Sequence, residues 1–119
     1  MSEISPVDGV DSHPDWSQVP EHARHVFICT GPRCTQRGAQ QLWKTLRRHL
    51  LEHDHIETPG GVLLTRTHCQ FPCNRGPILT VYPERCWYGV HSNADVQRLV
   101  EVHLVGGEVV EDLLIKART

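Results

Sequence analysis

Two tight pairs of cysteines constrain this chain more than any other feature of its sequence. Cys29 and Cys34 form a C-x4-C pair, Cys69 and Cys73 form a C-x3-C pair, and together they are four of the five cysteines. Glycine and proline flank both pairs, so each pair is expected in a loop. Nothing at the N-terminus has the pattern of an export signal, which favours reduced thiols over a disulfide framework. The spacing therefore predicts a metal site.

The chemistry of the ligands narrows the choice of metal. Thiolate-only sites select zinc or an iron–sulfur cluster. A [2Fe-2S] cluster takes two thiolates on each iron, so Cys29 and Cys34 would bind one iron, and Cys69 and Cys73 the other. Plant-type ferredoxins space their ligands as C-x4-C-x2-C. This chain has no third cysteine at that spacing, which excludes that family.

Other uses of the thiols compete with a cluster. Zinc ribbons hold their metal on two compact knuckles, whereas a predicted helix and strand separate the two pairs here; structural zinc nevertheless stays the main alternative. A catalytic dithiol normally places C-x-x-C at the start of a helix, and the chain has no such pair. Cys86 stands apart beside Trp87 in an apolar segment and is predicted to be a small buried hydrophobe.

The residues around the cysteines make the pattern more specific. They include Arg-Gly at positions 37–38, Asn-Arg-Gly-Pro at 74–77, Tyr-Pro-Glu at 82–84 and Trp-Tyr-Gly-Val at 87–90. With these segments and its cysteine spacing, the chain resembles the thioredoxin-like [2Fe-2S] ferredoxins over about residues 24–115. The first cysteine loop is shorter than in the free-standing ferredoxins and is closer to the small cluster-bearing subunit of respiratory complex I.

The resemblance implies an α/β, thioredoxin-like fold with a central four-stranded mixed sheet, two main helices and a cluster at one end. It assigns the ligand role to Cys29, Cys34, Cys69 and Cys73. It also implies a homodimer that exchanges electrons with redox partner proteins. These implications are expectations for the structure and for experiment.

Local patterns predict the elements that precede the second cysteine loop. A short β-branched run at residues 25–29 predicts a buried strand that ends on Cys29. Apolar residues spaced three and four apart from Ala39 to Leu50 predict a helix beginning just beyond Cys34. Its N-terminal N–H groups and positive dipole end would then face a negatively charged cluster. A second strand is predicted at residues 62–66.

The elements after the second loop follow from similar patterns. Residues 77–82 and 85–90 predict an antiparallel hairpin that turns at Pro83 and Glu84. Ser92 or Asn93 is predicted to cap a second helix, which Gly106 and Gly107 end. The segment 109–115 fits either a short helix or an extended edge. Residues 1–23 are predicted to be a flexible arm, and residues 24–119 the thioredoxin-like domain.

Positive side chains cluster in sequence around the two loops. They are Arg33, Arg37, Arg66, Arg75 and His68. Cations near a cluster raise its reduction potential and can attract an acidic partner. Arg37 is the strongest candidate for a structural or electrostatic role, and Gly38 is predicted to let the helix backbone pass close to the loop.

Bulk properties exclude several functions. The 119 residues suit one domain, and the net charge of −2 gives no basic surface for nucleic acid. No apolar run is long enough to cross a membrane, and most of the nine histidines are expected at the surface. No spacing indicates a catalytic triad, phosphate loop or carboxylate pair.

We therefore predict a cytoplasmic one-electron carrier and no enzyme. The alternatives are a zinc-binding interaction module or the cluster subunit of a flavin-linked dehydrogenase.

Overall fold

The computed structural model describes residues 8–11, 13 and 18–115, and only the backbone of Cys73. The strands are β1 (Arg24–Cys29), β2 (Val62–Thr67), β3 (Ile78–Tyr82) and β4 (Cys86–Gly89). The helices are α1 (Pro32–Gln36), α2 (Ala39–Glu52) and α3 (Asn93–Leu99), and α3 continues as a π-helical segment, Val100–Val105. Short 3-10 turns occupy Cys73–Arg75 and Glu111–Leu113.

The four strands form one mixed sheet in the order β2-β1-β3-β4. β1 and β2 are parallel, whereas β3 runs antiparallel to both β1 and β4. Cys29, the last residue of β1, pairs with Thr67, the last residue of β2. β3 begins at the same edge, because Ile28 pairs with Leu79. Both cysteine loops therefore leave the sheet at one edge, and the predicted four-stranded mixed sheet is confirmed.

One face of the sheet is buried under the two main helices. The apolar side chains of α2, at positions i, i+4 and i+8, are Leu42, Leu46 and Leu50, and all three are buried in the main core. Arg47 and Arg48 lie on the opposite, exposed face of the helix. This separation is what an amphipathic surface helix requires. Burial of this apolar face supplies most of the stability of a helix of this length.

The second main helix begins where the sequence predicts. The hydroxyl of Ser92 accepts a hydrogen bond from the backbone N–H of Asp95 at 3.2 Å, so Ser92 is the N-cap. Val96, Leu99, Val100 and Leu104 face the core. The hairpin also forms as predicted, with residues 83–85 joining β3 to β4.

The predicted helix beyond Cys34 is α2, which begins at Ala39. The sequence did not predict α1, a short helix that begins at Pro32 and contains Cys34. Proline is favoured at the first helical position because it lacks the N–H that would be unpaired there. The helical path then breaks at Gly38, whose φ is +93°. No atom lies within 4 Å of the position of an added Cβ, so Gly38 is needed for this left-handed conformation and not for close approach to the loop.

The two ends of the chain are less regular. The segment after α3 forms the 3-10 turn at Glu111–Leu113, and Leu114 makes one bridge to Tyr88 of β4. The described residues before Arg24 contain no helix or strand. The remaining positions of the predicted 1–23 arm lie outside the described residues, so the arm stays a prediction.

Candidate metal centre

The two cysteine loops start side by side because of the register of the parallel strands. Thr30 follows β1 directly, and its backbone N–H donates to the carbonyl of Thr67 at 2.8 Å. The hydroxyl of Thr30 donates to the same carbonyl, also at 2.8 Å. Two hydrogen bonds therefore join the first residue of the first loop to the last residue of β2.

The loops also touch at Gly31. A Cβ added there would lie 3.0 Å from the backbone nitrogen of Cys69 and 3.1 Å from its Cα. Contacts this short are tighter than carbon atoms normally make, so a larger residue would push the two loops apart. Gly31 thus brings the backbone of one cysteine loop against a cysteine of the other.

The predicted ligands lie in different environments. Cys29 and Cys34 are completely buried, whereas Cys69 is exposed. The Sγ of Cys29 is 3.1 Å from the carbonyl oxygen of His68, and the Sγ of Cys69 accepts a hydrogen bond from the N–H of Phe71 at 3.3 Å. The second contact, a backbone hydrogen bond accepted by the sulfur, is of the kind found in iron–sulfur sites.

The fourth predicted ligand, Cys73, begins a 3-10 turn in the second loop, and its side chain lies outside the described residues. Among the side chains that are described, no group of three or more His, Cys, Asp or Glu is arranged to hold a metal ion. The complete four-cysteine ligand set therefore remains a prediction.

Arg37 ties the second loop to the first. Its Nη1 donates to the carbonyl of Asn74 at 2.9 Å and to that of Gly76 at 3.4 Å. Arg37 lies at the end of α1, three positions after Cys34, while its two acceptors follow Cys73. The predicted structural role of Arg37 is confirmed, because its guanidinium spans from the first cysteine loop to the second.

Sequence reasoning missed the contribution of Gln70. Its Nε2 donates to the carbonyl of Phe27 at 3.3 Å and to the hydroxyl of Thr67 at 2.9 Å. Its Oε1 accepts from the buried hydroxyl of Thr80 at 2.5 Å. The amide therefore fastens the second loop to the sheet. The polar Thr80 within an otherwise apolar strand was the available signal, since a buried hydroxyl requires a partner.

The predicted cluster of cations is divided by the fold. Arg66 lies over the ring of Trp43, with its guanidinium carbon 5.1 Å from the ring centroid. His68 is exposed in the second loop. Arg33 and Arg75 border an open pocket of about 350 Å³, which Phe71, Pro72 and Asn74 complete.

A second polar network was also missed. His103 is completely buried and is an exception to the expectation that most histidines lie at the surface. Its Nδ1 is 2.8 Å from the hydroxyl oxygen of Tyr88, and its Nε2 is 2.9 Å from Oε2 of Glu84. Arg24 donates to the same carboxylate oxygen at 2.7 Å. The network links α3's π-helical extension to the β3–β4 hairpin and to β1.

Ionisation in this network follows from burial and hydrogen bonding. Burial alone would raise the pKa of Glu84, but hydrogen bonds from Arg24 and His103 outweigh it and lower the pKa to about 2. Burial raises the pKa of the Tyr88 hydroxyl. Burial likewise raises the pKa of the Cys86 thiol, which is 7% exposed. Cys86 is thus a buried thiol in the core, as predicted.

The residues at this edge fit a [2Fe-2S] cluster chemically. Two loops carry two cysteines each, the loops are in backbone contact, and a backbone N–H already points at one sulfur. Half of the predicted ligand set is buried, which limits access of water. A set of four thiolates is the donor set that such a cluster requires.

Comparison with known proteins defines the class of protein that this fold and site belong to. The family model for thioredoxin-like [2Fe-2S] ferredoxins matches residues 10–103. The match covers most of the chain and includes all four strands and both cysteine loops. The chain belongs to the thioredoxin-like [2Fe-2S] ferredoxin family, and the cofactor of this family is a [2Fe-2S] cluster.

Individual relatives agree with this assignment. The chain is 34% identical over 100 residues to a 2Fe-2S ferredoxin of Aquifex aeolicus, covering 77% of this chain and 88% of that protein. It is 35% identical over 104 residues to a 2Fe-2S ferredoxin of Clostridium pasteurianum, covering 81% and 97%. The crystal structure of the Aquifex aeolicus thioredoxin-like [2Fe-2S] ferredoxin matches with a TM-score of 0.65 and 32% identity, covering 79% and 97%.

The relatives and the fold agree on the general class of function. Both sequence relatives are named as ferredoxins, which are electron carriers. Within the part of the chain that is described, no helix is both long enough and apolar enough to cross a membrane.

Proposed function

We propose that this chain is a one-electron carrier whose single [2Fe-2S] cluster is bound by Cys29, Cys34, Cys69 and Cys73. The observation that carries this proposal is the pairing of Cys29 with Thr67, which brings both cysteine loops to one edge of the sheet. The close approach of Gly31 to Cys69 supports it, because it allows thiolates from both loops to share one site.

The cluster, when bound, supplies the one-electron chemistry. The chain holds and tunes it. Burial of Cys29 and Cys34 shields part of the ligand set from water, and the N–H of Phe71 stabilises negative charge on the sulfur of Cys69. Such donors favour the more negative reduced state and therefore raise the reduction potential. Arg37 keeps the second loop against the first.

Substitution of single cysteines tests the ligand assignment. Cys73→Ser should abolish or strongly weaken visible absorption and should lower the acid-labile sulfide content of the purified protein. Cys86→Ser is the matched control and should leave the spectrum nearly unchanged, because Cys86 is buried in the main core. Equal loss from both variants would show that the ligand set is wrong.

The same preparation distinguishes an iron–sulfur carrier from a zinc module. A [2Fe-2S] protein is coloured and bleaches on reduction with dithionite, whereas a zinc protein is colourless. Anaerobically purified protein that contains zinc, and neither iron nor labile sulfide even after reconstitution, would overturn the proposal.

We also propose that the protein works in the cytoplasm as a homodimer and exchanges electrons with larger redox enzymes, without activity of its own. The family likeness supports this arrangement. Sedimentation equilibrium at micromolar concentration should give twice the mass of the chain, which is 13.5 kDa. A flavoprotein that co-purifies at fixed stoichiometry would instead favour a subunit of a flavin-linked dehydrogenase.

A further inference from the structure

We propose that Arg33 and Arg75, together with the ring of Phe71, form a docking surface for an acidic face of the redox partner protein. These residues line the open pocket described above, together with Pro72 and Asn74; we call it the Arg33–Arg75 pocket. The inference rests on the proposed function, since the pocket is built from residues adjacent to the proposed ligands, and it specifies the charge of the partner.

The fold leaves these two arginines available. Arg37 donates to loop carbonyls, and Arg66 lies over Trp43. The side chains of Arg33 and Arg75 make no ion pair or hydrogen bond with any of the described residues, and both are exposed. An unpaired exposed guanidinium can bind a carboxylate through two parallel hydrogen bonds.

Among the described residues, no acidic side chain lines the Arg33–Arg75 pocket. The neighbouring pocket, which Arg75 also lines, includes Asp112. Its carboxylate is already paired with Arg98, with oxygen-to-nitrogen distances of 2.5 and 2.6 Å. A local positive surface on a chain of net charge −2 orients the approach of an anionic partner.

Phe71 supplies an apolar centre to this surface. Its side chain is 91% exposed, an unusual state for a phenylalanine. Its φ of +86° lies in the left-handed region, which residues other than glycine rarely adopt. Because its own N–H is bonded to the sulfur of Cys69, the ring is held next to a proposed ligand. An aromatic ring with flanking arginines has the composition of an interface centre.

Binding of an acidic peptide tests the docking surface on the full-length purified protein. The probe is a fluorescein-labelled peptide of Glu and Asp residues around one Leu, and binding is followed by fluorescence anisotropy at low ionic strength. Arg33 and Arg75 would each form one exposed ion pair with a carboxylate of the peptide. Loss of both pairs predicts about fivefold weaker binding for the Arg33→Ser/Arg75→Ser double variant. Added salt should weaken binding to the wild-type protein.

Two further variants separate charge from shape. Arg47→Ser/Arg48→Ser makes the same change in net charge on the exposed face of α2 and should alter affinity less than twofold. Phe71→Asn removes the ring while keeping a residue that tolerates positive φ. It should weaken binding but keep the salt dependence of the wild-type protein.

The outcomes distinguish this proposal from the proposed function. A normal visible spectrum with no peptide binding, or with equal binding by the Arg33→Ser/Arg75→Ser and Arg47→Ser/Arg48→Ser proteins, overturns the docking surface alone. A Lys-rich peptide that binds as tightly as the acidic one overturns it as well. A wild-type protein without a cluster overturns the proposed function.

Discussion

Replacing Gly31 by alanine tests whether contact between the two loops builds the site. The backbone of Gly31 has φ −61° and ψ 169°, which any residue adopts, so alanine brings no conformational strain. The added methyl would lie 3.0, 3.1 and 3.3 Å from the N, Cα and Cβ of Cys69. Two of these atoms are backbone and cannot rotate away. The loops must therefore separate by a few tenths of an ångström.

The cost of this overpacking is about 2 kcal/mol, within the range of about 1–3 kcal/mol for extra methyl groups in packed sites. For a domain of about 100 residues this corresponds to a fall in Tm of roughly 8 °C. Separation of the loops also moves Cys69 away from the first pair of cysteines. We expect Gly31→Ala to lower the Tm and to speed loss of visible absorbance in the presence of a chelator.

Gly60→Ala is the matched control. Gly60 has φ +76° and no atom within 4 Å of an added Cβ, so its cost is conformational, about 1 kcal/mol. It should lower the Tm modestly and leave the rate of cluster loss unchanged. The reasoning is refuted if Gly31→Ala has the same Tm and the same rate of cluster loss as the wild-type protein. It is also refuted if Gly31→Ala and Gly60→Ala speed cluster loss equally.

Three other variants probe the supports of the site and of the fold. Arg37→Met removes the hydrogen bonds to the second loop and should speed chelator-driven cluster loss, with a stability cost of about 1 kcal/mol for this exposed side chain. Gln70→Ala leaves the hydroxyl of Thr80, 3% exposed, without its acceptor, and should lower the free energy of unfolding in urea by about 2 kcal/mol. Glu84 has a folded pKa of about 2 against an ordinary value of 4.5, so its ionised form contributes stability above pH 4.5 that is lost as the pH falls towards 2. Glu84→Gln should therefore show a smaller loss of stability than the wild-type protein over that pH range.

Exposed residues of the same types serve as controls for these variants. Arg47→Met, Gln41→Ala and Glu108→Gln each change an exposed side chain. The interpretation of Arg37 fails if Arg47→Met speeds chelation equally. If Gln70→Ala has the same free energy of unfolding in urea as the wild-type protein, the role assigned to the Gln70 amide is wrong. Parallel acid-stability curves for the wild-type protein and Glu84→Gln would contradict the linkage assigned to that carboxylate.

Features with a local cause could be predicted from sequence. The apolar spacing of Leu42, Leu46 and Leu50 defines the buried face of α2, and Ser92 caps α3, because both depend on residues within one or two helical turns. The loop positions of the cysteine pairs follow from adjacent glycine and proline. The short helix α1 was missed because proline is typical both of a turn and of the first position of a helix.

Features with long-range causes could not be predicted in this way. Burial of His103 depends on Glu84 and Tyr88, which belong to the hairpin that packs against it. The anchoring of the second loop by Gln70 depends on the neighbouring strands. No periodicity within a segment encodes such partners, since a polar side chain is buried only when the fold brings it a hydrogen-bonding group.

The sequence by itself determined the family, the two thiol-bearing loops and the amphipathic helices, because residue type and short-range spacing are sufficient to specify them. Only the tertiary structure decided that the loops meet at Gly31, that Arg37 is tied inward, and that Arg33 and Arg75 remain free of the described side chains. The physical reason is the parallel register of β1 and β2. It joins residues distant in the chain, and contacts between such residues depend on packing of the whole sheet.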